Sequence, residues 1–465
     1  MILSWGGYDI MIYTPHGDEK VWQTIGHWGE TPSNPGSEQA LGLRYIWIDS
    51  LCIIQDDPDD WSVESAKMGR IYSDAYIVIA SSQSRDGTES FLAPRHPLRT
   101  PLELSLALPD ASPRKVLARP MLVTGLSNEP LDSRAWTYQE QRLATRLLRY
   151  TSEEMVFQCR TRWYRCECGS SHRALSIREL HQMALFGKYC EPIDSSQPTD
   201  YLFRQWQGMV STYSMRSLTK GSDKLPAMSG IADLMQKATK SQFLAGLWVD
   251  NLIDDLRWSV EPNTILDDQD LETTGFLSRR ASSEYRAPTF SWASINVGVI
   301  SYGLTHPRIL DPVAVVLDAK CDPKGANPLG EVTNGFLILE AYLVQAELST
   351  ATDRLARAMG DYELCREGMK TYMRADFPVV EIVGLLEDGS QISALGRATR
   401  EDKINPIAGS VICLALGYSD KHIEALVLSH SGRVPGAYER LGSMVYDDIY
   451  WFDKGEVRKS VITIV

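Results

Sequence analysis

The sequence of 465 residues predicts an α/β domain with a mostly parallel sheet, followed by a helical middle region and a β-rich C-terminal region. The first observation is a pair of apolar runs, residues 43–49 and 75–81, which flank a helical pattern over residues 58–74. The second is a change of sequence pattern from residue 286 onward, where short runs typical of β-strands alternate with Gly, Pro, Asn and Asp. We therefore expect three domains, with the bounds 1–165, 166–260 and 286–465.

The helix over residues 58–74 has clear signals at its start. Asp57 precedes it as a candidate cap, Pro58 suits the first helical position, and Asp59 and Asp60 favour the positive end of the helix dipole. An apolar strand lies on each side of this helix. Strand–helix–strand segments of this length form parallel pairs with a right-handed crossover. The segment therefore predicts two parallel strands in one sheet.

A second amphipathic helix is predicted over residues 134–145. It leads into residues 146–159, whose pattern is typical of two strands joined by a polar turn at Thr151–Glu154. Further helices are predicted over residues 174–187 and 200–240, where apolar residues recur at mixed spacings of three and four.

Composition and charge narrow the classes of function. The net charge of −13 and the pI near 5.2 disfavour nucleic acid as a partner, because phosphate binding needs clustered cations. Eight scattered cysteines in a chain of this length do not indicate a disulfide scaffold. Neither a signal-peptide pattern nor a run of about 18 apolar residues is found, so neither secretion nor membrane insertion is expected. We expect a soluble, reduced, cytoplasmic protein.

Two reactive residues, Asp49 and Cys52, follow the first apolar strand. The end of a buried strand is where open α/β sheets hold ligands, which favours a ligand contact for Asp49. The alternative is that Asp49 accepts hydrogen bonds from the next turn of the backbone. Cys52 has the chemistry of a nucleophile, but an apolar cysteine without a nearby histidine is more often inert packing.

Two glutamates lie on apolar helix faces, where a carboxylate is costly unless it is paired or functional. Glu140 shares its apolar stripe with Trp136, one turn earlier. Glu64 lies near the apolar face of the first helix. For both, a salt bridge to a neighbouring cation such as Lys67 or Arg142 is one interpretation. A functional carboxylate beside an aromatic ring is the other.

The string CRTRWYRCECGSSH, residues 159–172, contains four residues of zinc-binding type: Cys159, Cys166, Cys168 and His172. Their spacing matches none of the usual paired zinc motifs, so they form either a small zinc site or a group of thiols at a strand end. The sequence contains no GxxxxGK[ST], no GxGxxG after a strand, no HExxH and no GxSxG. Kinase, P-loop, zincin and α/β-hydrolase functions are therefore disfavoured.

Two long segments carry a resemblance to a known family. LGLRYIWIDSLCIIQDDPDDWSVESAKMGRIYSDAYIVIA resembles the central block of the fungal heterokaryon incompatibility (HET) domain family, and SRAWTYQEQRLATRLLRYTSEEMVFQC is similar to its second block. DKLPAMSGIADL, FLAGLWVDNLIDDLRW and YRAPTFSWASI resemble the region downstream of the domain in long family members. The resemblance implies a TIR-like (flavodoxin-like) α/β fold and a role in fungal self/non-self recognition that ends in programmed cell death.

TIR-like folds include enzymes that cleave the nicotinamide–ribose bond of NAD⁺. The resemblance therefore implies NAD⁺ or a related nucleotide as a substrate, with no cofactor. It gives Glu140 the role of the catalytic carboxylate, with Asp49 beside it. The residues that it implies in nucleotide binding are Trp47, Ser50, Glu64, Trp136, Ser4 and Trp5. Because TIR-like activity often requires assembly, a homo-oligomer is implied as well.

The opening residues depart from the family pattern. The family begins with a strand that ends in Leu-Ser-Tyr-x-Trp-Gly, whereas this chain keeps only Leu3, Ser4, Trp5 and Gly6. Residues 14–40 are a Pro- and Gly-rich loop where a helix is expected. Two alternatives to NAD⁺ hydrolysis therefore stay open. One is a non-catalytic HET module for interaction and self-association, and the other is a HET scaffold recruited to the small-molecule chemistry of secondary metabolism.

Overall fold

The computed structural model of the chain divides into two compact units, Met1–Pro192 and Ile193–Val465. The structure describes residues 9–13, 45–86, 88–89, 102–106, 114–118, 129–152, 155–159, 163–165, 193–261, 284–296, 298–302, 309–399, 401–419, 422–447, 451–452, 457 and 459–465. The predicted loop 14–40 and the predicted helix 174–187 lie outside the described residues. The predicted division into three domains stays a prediction.

The described part of the first unit contains eight strands and three α-helices. The strands are β1 (Asp9–Tyr13), β2 (Tyr45–Trp47), β3 (Ile77–Ala80), β4 (Leu102–Leu106), β5 (Arg114–Ala118), β6 (Arg146–Tyr150), β7 (Met155–Cys159) and β8 (Trp163–Arg165). The helices are α1 (Asp49–Cys52), α2 (Pro58–Asp74) and α3 (Trp136–Leu143), and a 3₁₀ helix (Pro130–Ser133) precedes α3.

Six of these strands form one mixed sheet in the order β2-β1-β3-β6-β7-β8. Among its hydrogen-bonded pairs in the described residues, only β3 and β6 run parallel. The predicted mostly parallel, TIR-like (flavodoxin-like) sheet is therefore wrong. Two features make the sheet mixed: β1 lies between β2 and β3 and runs antiparallel to both, and short connections make β6, β7 and β8 an antiparallel meander.

The predicted strand–helix–strand unit is present, but its strands are not neighbours. Trp47 of β2 pairs with Met11 of β1, and Met11 pairs on its other side with Val78 of β3. Because β2 and β3 are each antiparallel to β1, they point in the same direction. The carboxyl ends of β2, β3 and β6 therefore lie at one edge of the sheet.

Helix α2 follows its sequence signals closely. The Asp57 carboxylate accepts hydrogen bonds from the backbone amides of Asp59 (2.9 Å) and Asp60 (3.2 Å), which confirms the predicted cap. The buried side of the helix includes Met68 and Tyr72. These local interactions explain why the helix begins and ends where its sequence pattern predicted.

The second unit begins with a helical part, which overlaps the predicted helical segment 200–240. Its α-helices are α4 (Thr199–Ser214), α5 (Ser229–Thr239) and α6 (Leu252–Asp255), and its 3₁₀ helices are Gly221–Lys224, Pro226–Met228 and Val249–Asn251. The rings of Trp206 and Trp248 meet edge to face at 5.4 Å in its interior. No helix among the described residues is long and apolar enough to cross a membrane.

The rest of the second unit is mainly antiparallel sheet, which confirms the predicted β-rich C-terminal region. Its remaining elements are β9 (Phe243–Leu244), β10 (Leu247–Trp248), β11 (Ser259–Val260), a 3₁₀ helix (Trp292–Ser294), β12 (Ile300–Ser301), β13 (Asp311–Pro312), β14 (Val315–Pro323), β15 (Val332–Thr350), α7 (Arg354–Met359), β16 (Asp361–Arg366), β17 (Met369–Ala375), β18 (Val379–Leu385), β19 (Gln391–Arg397), β20 (Ala408–Ser419), β21 (His422–His430), β22 (Tyr438–Tyr446) and β23 (Lys459–Ile464). Strands β15, β20, β21, β22, β17 and β16 pair in a closed ring. Buried side chains such as Leu364, Cys413 and Val427 pack in its core.

Candidate functional site

The candidate site lies at the edge of the first sheet where β2, β3 and β6 end. Asp49 follows β2 as the first residue of α1 and is half-buried. Its Oδ1 accepts a hydrogen bond from the backbone amide of Ser50 at 2.6 Å. Burial raises the pKa of the Asp49 carboxyl, and the Ser50 amide and the positive charge of Arg134 only partly oppose this. Asp49 is therefore a desolvated acid at the edge where the sequence placed a ligand contact.

The hydroxyl of Ser50 has an unusual environment. Its Oγ is buried and makes no hydrogen bond within the described residues. A buried polar atom without a partner costs free energy, so its retention beside Asp49 calls for an explanation. One explanation is a ligand hydroxyl that forms hydrogen bonds with both Asp49 and Ser50.

Asp49 and Glu64 both lie close enough to Cys52 for their charges to act on its thiol. Burial raises the pKa of the Cys52 thiol, and the negative charges of Asp49 and Glu64 raise it further. A thiol in such surroundings stays protonated near neutral pH, which disfavours Cys52 as a nucleophile. Glu64 forms a salt bridge with Lys67 at 2.6 Å, as the structural interpretation of this glutamate predicts.

Two tryptophans join the helices that carry the glutamates. The rings of Trp61 on α2 and Trp136 on α3 meet edge to face, with centroids 6.1 Å apart. Near the other end of the two helices, Thr145 Oγ1 donates a hydrogen bond to the carbonyl of Ser73 at 2.9 Å. The two helices therefore run side by side in the same direction, each leading into a strand of the parallel pair β3–β6.

Glu140 lies one helical turn after Trp136, as Glu64 lies about one turn after Trp61. Only 4% of Glu140 is exposed, so the predicted burial of this carboxylate is confirmed. Trp136 is half-buried. Trp47 is buried and packs edge to face on Tyr72 at 5.8 Å, so its ring belongs to the core.

Sequence reasoning missed a polar network at the same edge. Arg149, near the end of β6, donates to the Asp132 carboxylate at 2.5 Å and to Ser82 Oγ at 3.2 Å. Gln141 on α3 donates to the other oxygen of Asp132 at 3.3 Å. The network fixes the 3₁₀ helix before α3 to the ends of β3 and β6, and thereby positions α3. The sequence signal that could have revealed this network is Arg149, a charged residue within the apolar run RLLRY.

Five predicted residues remain untested by the geometry. Ser4, Trp5, Cys166, Cys168 and His172 lie outside the described residues. Cys159 is half-buried at the end of β7. In the part of the chain that the structure describes, no group of three or more His, Cys, Asp or Glu residues is arranged to hold a metal ion. The zinc site therefore stays a prediction.

Comparison with known proteins supports the family resemblance. Residues 37–140 match the family model described as Heterokaryon incompatibility protein (HET). The match contains Asp49, the whole of α2 and the first five residues of α3, from Trp136 to Glu140. No curated protein and no solved structure matches the chain. The predicted HET resemblance is therefore confirmed over these residues.

Proposed function

We propose that the first unit hydrolyses the nicotinamide–ribose bond of NAD⁺ or a related nucleotide, and that this reaction serves fungal self/non-self recognition and programmed cell death. The observation that carries the proposal is the buried carboxylate of Glu140, one turn from a half-buried tryptophan. A buried carboxylate beside an aromatic ring suits a reaction in which a flat, positively charged ring leaves a sugar. The family match supports the biological role.

Cleavage of the nicotinamide–ribose bond requires a fixed negative charge near the ribose and does not require a proton donor. Departure of nicotinamide leaves a ribose with oxocarbenium character, and a carboxylate held in a dry site stabilises that cation. The pyridinium nitrogen is already quaternary, so the leaving group requires no proton. In this proposal Glu140 stabilises the ribosyl cation, and water then attacks the anomeric carbon.

Asp49, Ser50 and Trp136 supply binding. The desolvated carboxylate of Asp49 accepts hydrogen bonds from ribose hydroxyls, which are stronger to a charged acceptor than to a neutral one. Ser50 Oγ gains the partner that it lacks among the described residues. The ring of Trp136 stacks on nicotinamide or adenine. Glu64, paired with Lys67, adds negative potential without direct contact.

The test is to incubate the purified full chain with NAD⁺ and to measure nicotinamide by liquid chromatography. The protein should be assayed over a range of concentrations, with its assembly state followed by light scattering. We expect release by the wild type and loss of release in Glu140→Gln. Glu381→Gln, an exposed glutamate on β18, is the matched control and should behave as the wild type does.

A non-catalytic interaction module is the second candidate function. It is favoured by three exposed apolar side chains close to the candidate site, Leu51 (40% exposed), Ile54 (57%) and Val63 (51%). Surfaces of this kind often contact another protein. Absence of nicotinamide release at every concentration, including those at which the chain self-associates, would select this candidate over the enzyme.

A further inference from the structure

The second unit contains a buried lysine that lacks a carboxylate partner within the described residues. Lys224 ends the 3₁₀ helix Gly221–Lys224 and is 6% exposed. Its Nζ donates a hydrogen bond to the carbonyl of Ile295 and lies 5.7 Å from the centre of the Trp292 ring. An ammonium group has three donors, so these contacts leave it under-satisfied.

A second cation lies beside this lysine. The positive charge of Arg286 acts on Lys224 and, together with burial, lowers the pKa of the lysine to about 7. The Arg286 guanidinium packs directly on Gly221, where an added Cβ would lie 1.9 Å from Nη2. Among the described residues Arg286 has no hydrogen-bond or salt-bridge partner, although the nearby charge of Glu284 favours its charged form. Two like charges in a partly buried place repel each other unless an anion lies between them.

The same region contains an unsatisfied hydroxyl. Ser294 lies between Trp292 and Ile295, the two residues that Lys224 contacts. It is 6% exposed, and its Oγ makes no hydrogen bond in the described part of the chain. A buried lysine, a half-buried arginine and a buried serine thus all offer donors without a matching acceptor. Unused donors of this number are rare in native proteins and indicate a missing acceptor.

We propose that Lys224, Arg286 and Ser294 form a binding site for an oxyanion, the phosphate or carboxylate group of a small ligand. Arg286 offers its forked donors at the entrance, Lys224 provides a point charge deeper in the site, and Ser294 donates a neutral hydrogen bond. Two acidic residues lie near these donors: Asp223 precedes Lys224 in the chain, and the charge of Glu284 acts on Arg286. They limit the site to ligands whose remaining part is not strongly anionic.

This inference is independent of NAD⁺ hydrolysis, because every residue that carries it belongs to the second unit. The test is isothermal titration of the full chain with inorganic phosphate and, separately, with malonate. We expect saturable binding of at least one of them at concentrations of about 10 mM or below. Binding of phosphate alone or malonate alone identifies the preferred group.

The variants leave Lys224 in place, because its buried Nζ also donates a hydrogen bond to the Ile295 carbonyl. Arg286→Gln and Ser294→Ala should each weaken binding by about tenfold, the usual effect of losing one hydrogen bond to a charged group. Lys220→Gln removes an exposed positive charge next to the same 3₁₀ helix and should leave binding unchanged. Absence of binding for both anions overturns the proposal. So does binding that ignores Arg286→Gln and Ser294→Ala, or that falls equally in Lys220→Gln.

Discussion

The substitution Asp49→Asn tests whether the carboxylate of Asp49 serves the function of the protein or the stability of its fold. Asparagine has nearly the same shape, and its Oδ1 can still accept the hydrogen bond that the Ser50 amide donates at 2.6 Å. What it removes is the negative charge, which burial disfavours and the charge of Arg134 favours. The change in the free energy of unfolding therefore measures how much the negative charge of Asp49 destabilises the fold.

The sign of the effect follows from the direction in which folding shifts the pKa of Asp49. Each unit by which burial raises a carboxyl pKa costs the ionised form about 1.4 kcal/mol, while an exposed cation such as Arg134 contributes at most about 1 kcal/mol. We expect Asp49→Asn to raise the free energy of unfolding by about 1 kcal/mol at pH 7. The folded-state pKa lies above the ordinary value of 3.8. The proton therefore stabilises the fold fully below pH 3.8, and this contribution is lost as the pH rises through the folded-state pKa.

The assay is hydrogen exchange by mass spectrometry on peptides that cover residues 45–74, at pH 4.5 and pH 7.5. Slower exchange in Asp49→Asn at the higher pH, together with a loss of NAD⁺ cleavage of about tenfold or more, is the expected pair of results. Asp56→Asn, an exposed acid close by, should change neither. Faster exchange by the same factor at both pH values would refute the reasoning, because it would make Asp49 a structural capping residue.

Three further predictions concern stability and can be measured by urea unfolding. A double-mutant cycle of Trp61→Ala and Trp136→Ala should give a coupling free energy of about 0.5–1.5 kcal/mol, and a value near zero would contradict the contact of 6.1 Å. Arg440→Met should cost about 3–5 kcal/mol, because it leaves the fully buried Asp376 without the partner at 2.8 Å. Adding Asp376→Leu should recover part of this loss, and no recovery would show that the pair is not the cause. Because the pKa of Lys224 falls from 10.5 to about 7 on folding, the unfolded chain binds more protons between these pH values. Wild-type stability should therefore rise from pH 7 towards 10.5 by up to about 5 kcal/mol, and Lys224→Met should flatten this rise.

Local signals predicted the elements well. Helix α2 was predicted over residues 58–74, because its cap Asp57, its first-turn proline and its apolar face are all local to that segment. The hairpin β6–β7 was equally predictable, since a short polar turn leaves an antiparallel pair as the only solution.

Strand order was not predictable in the same way, because pairing is non-local. Two apolar strands joined by a helix indicate a shared direction, yet nothing in them shows that β1 pairs between them. The residue pairs Trp47–Met11 and Met11–Val78 depend on a strand more than 30 positions away from both partners. The antiparallel strand β1, together with the antiparallel meander β6–β7–β8, is why the sheet is mixed and not mostly parallel.

In the candidate site, too, the local features were predictable from the sequence and the long-range contacts were not. Burial of Glu140 followed from its position on an apolar stripe, because helical period alone sets which face a residue occupies. Long-range contacts such as Arg149 with Asp132 did not follow, since they join residues from different elements. The burial of Lys224 and the unsatisfied hydroxyl of Ser294 likewise become visible only in the folded chain.

The most direct test of the central claim is the single-turnover rate of nicotinamide release by the wild type and by Glu140→Gln, with NAD⁺ binding measured on both proteins. The account predicts that binding is retained and that the rate falls by about 10²–10³, the usual effect of removing a group that stabilises charge in the transition state. Equal rates in a folded Glu140→Gln protein, or no release by the wild type in any assembly state, would contradict it.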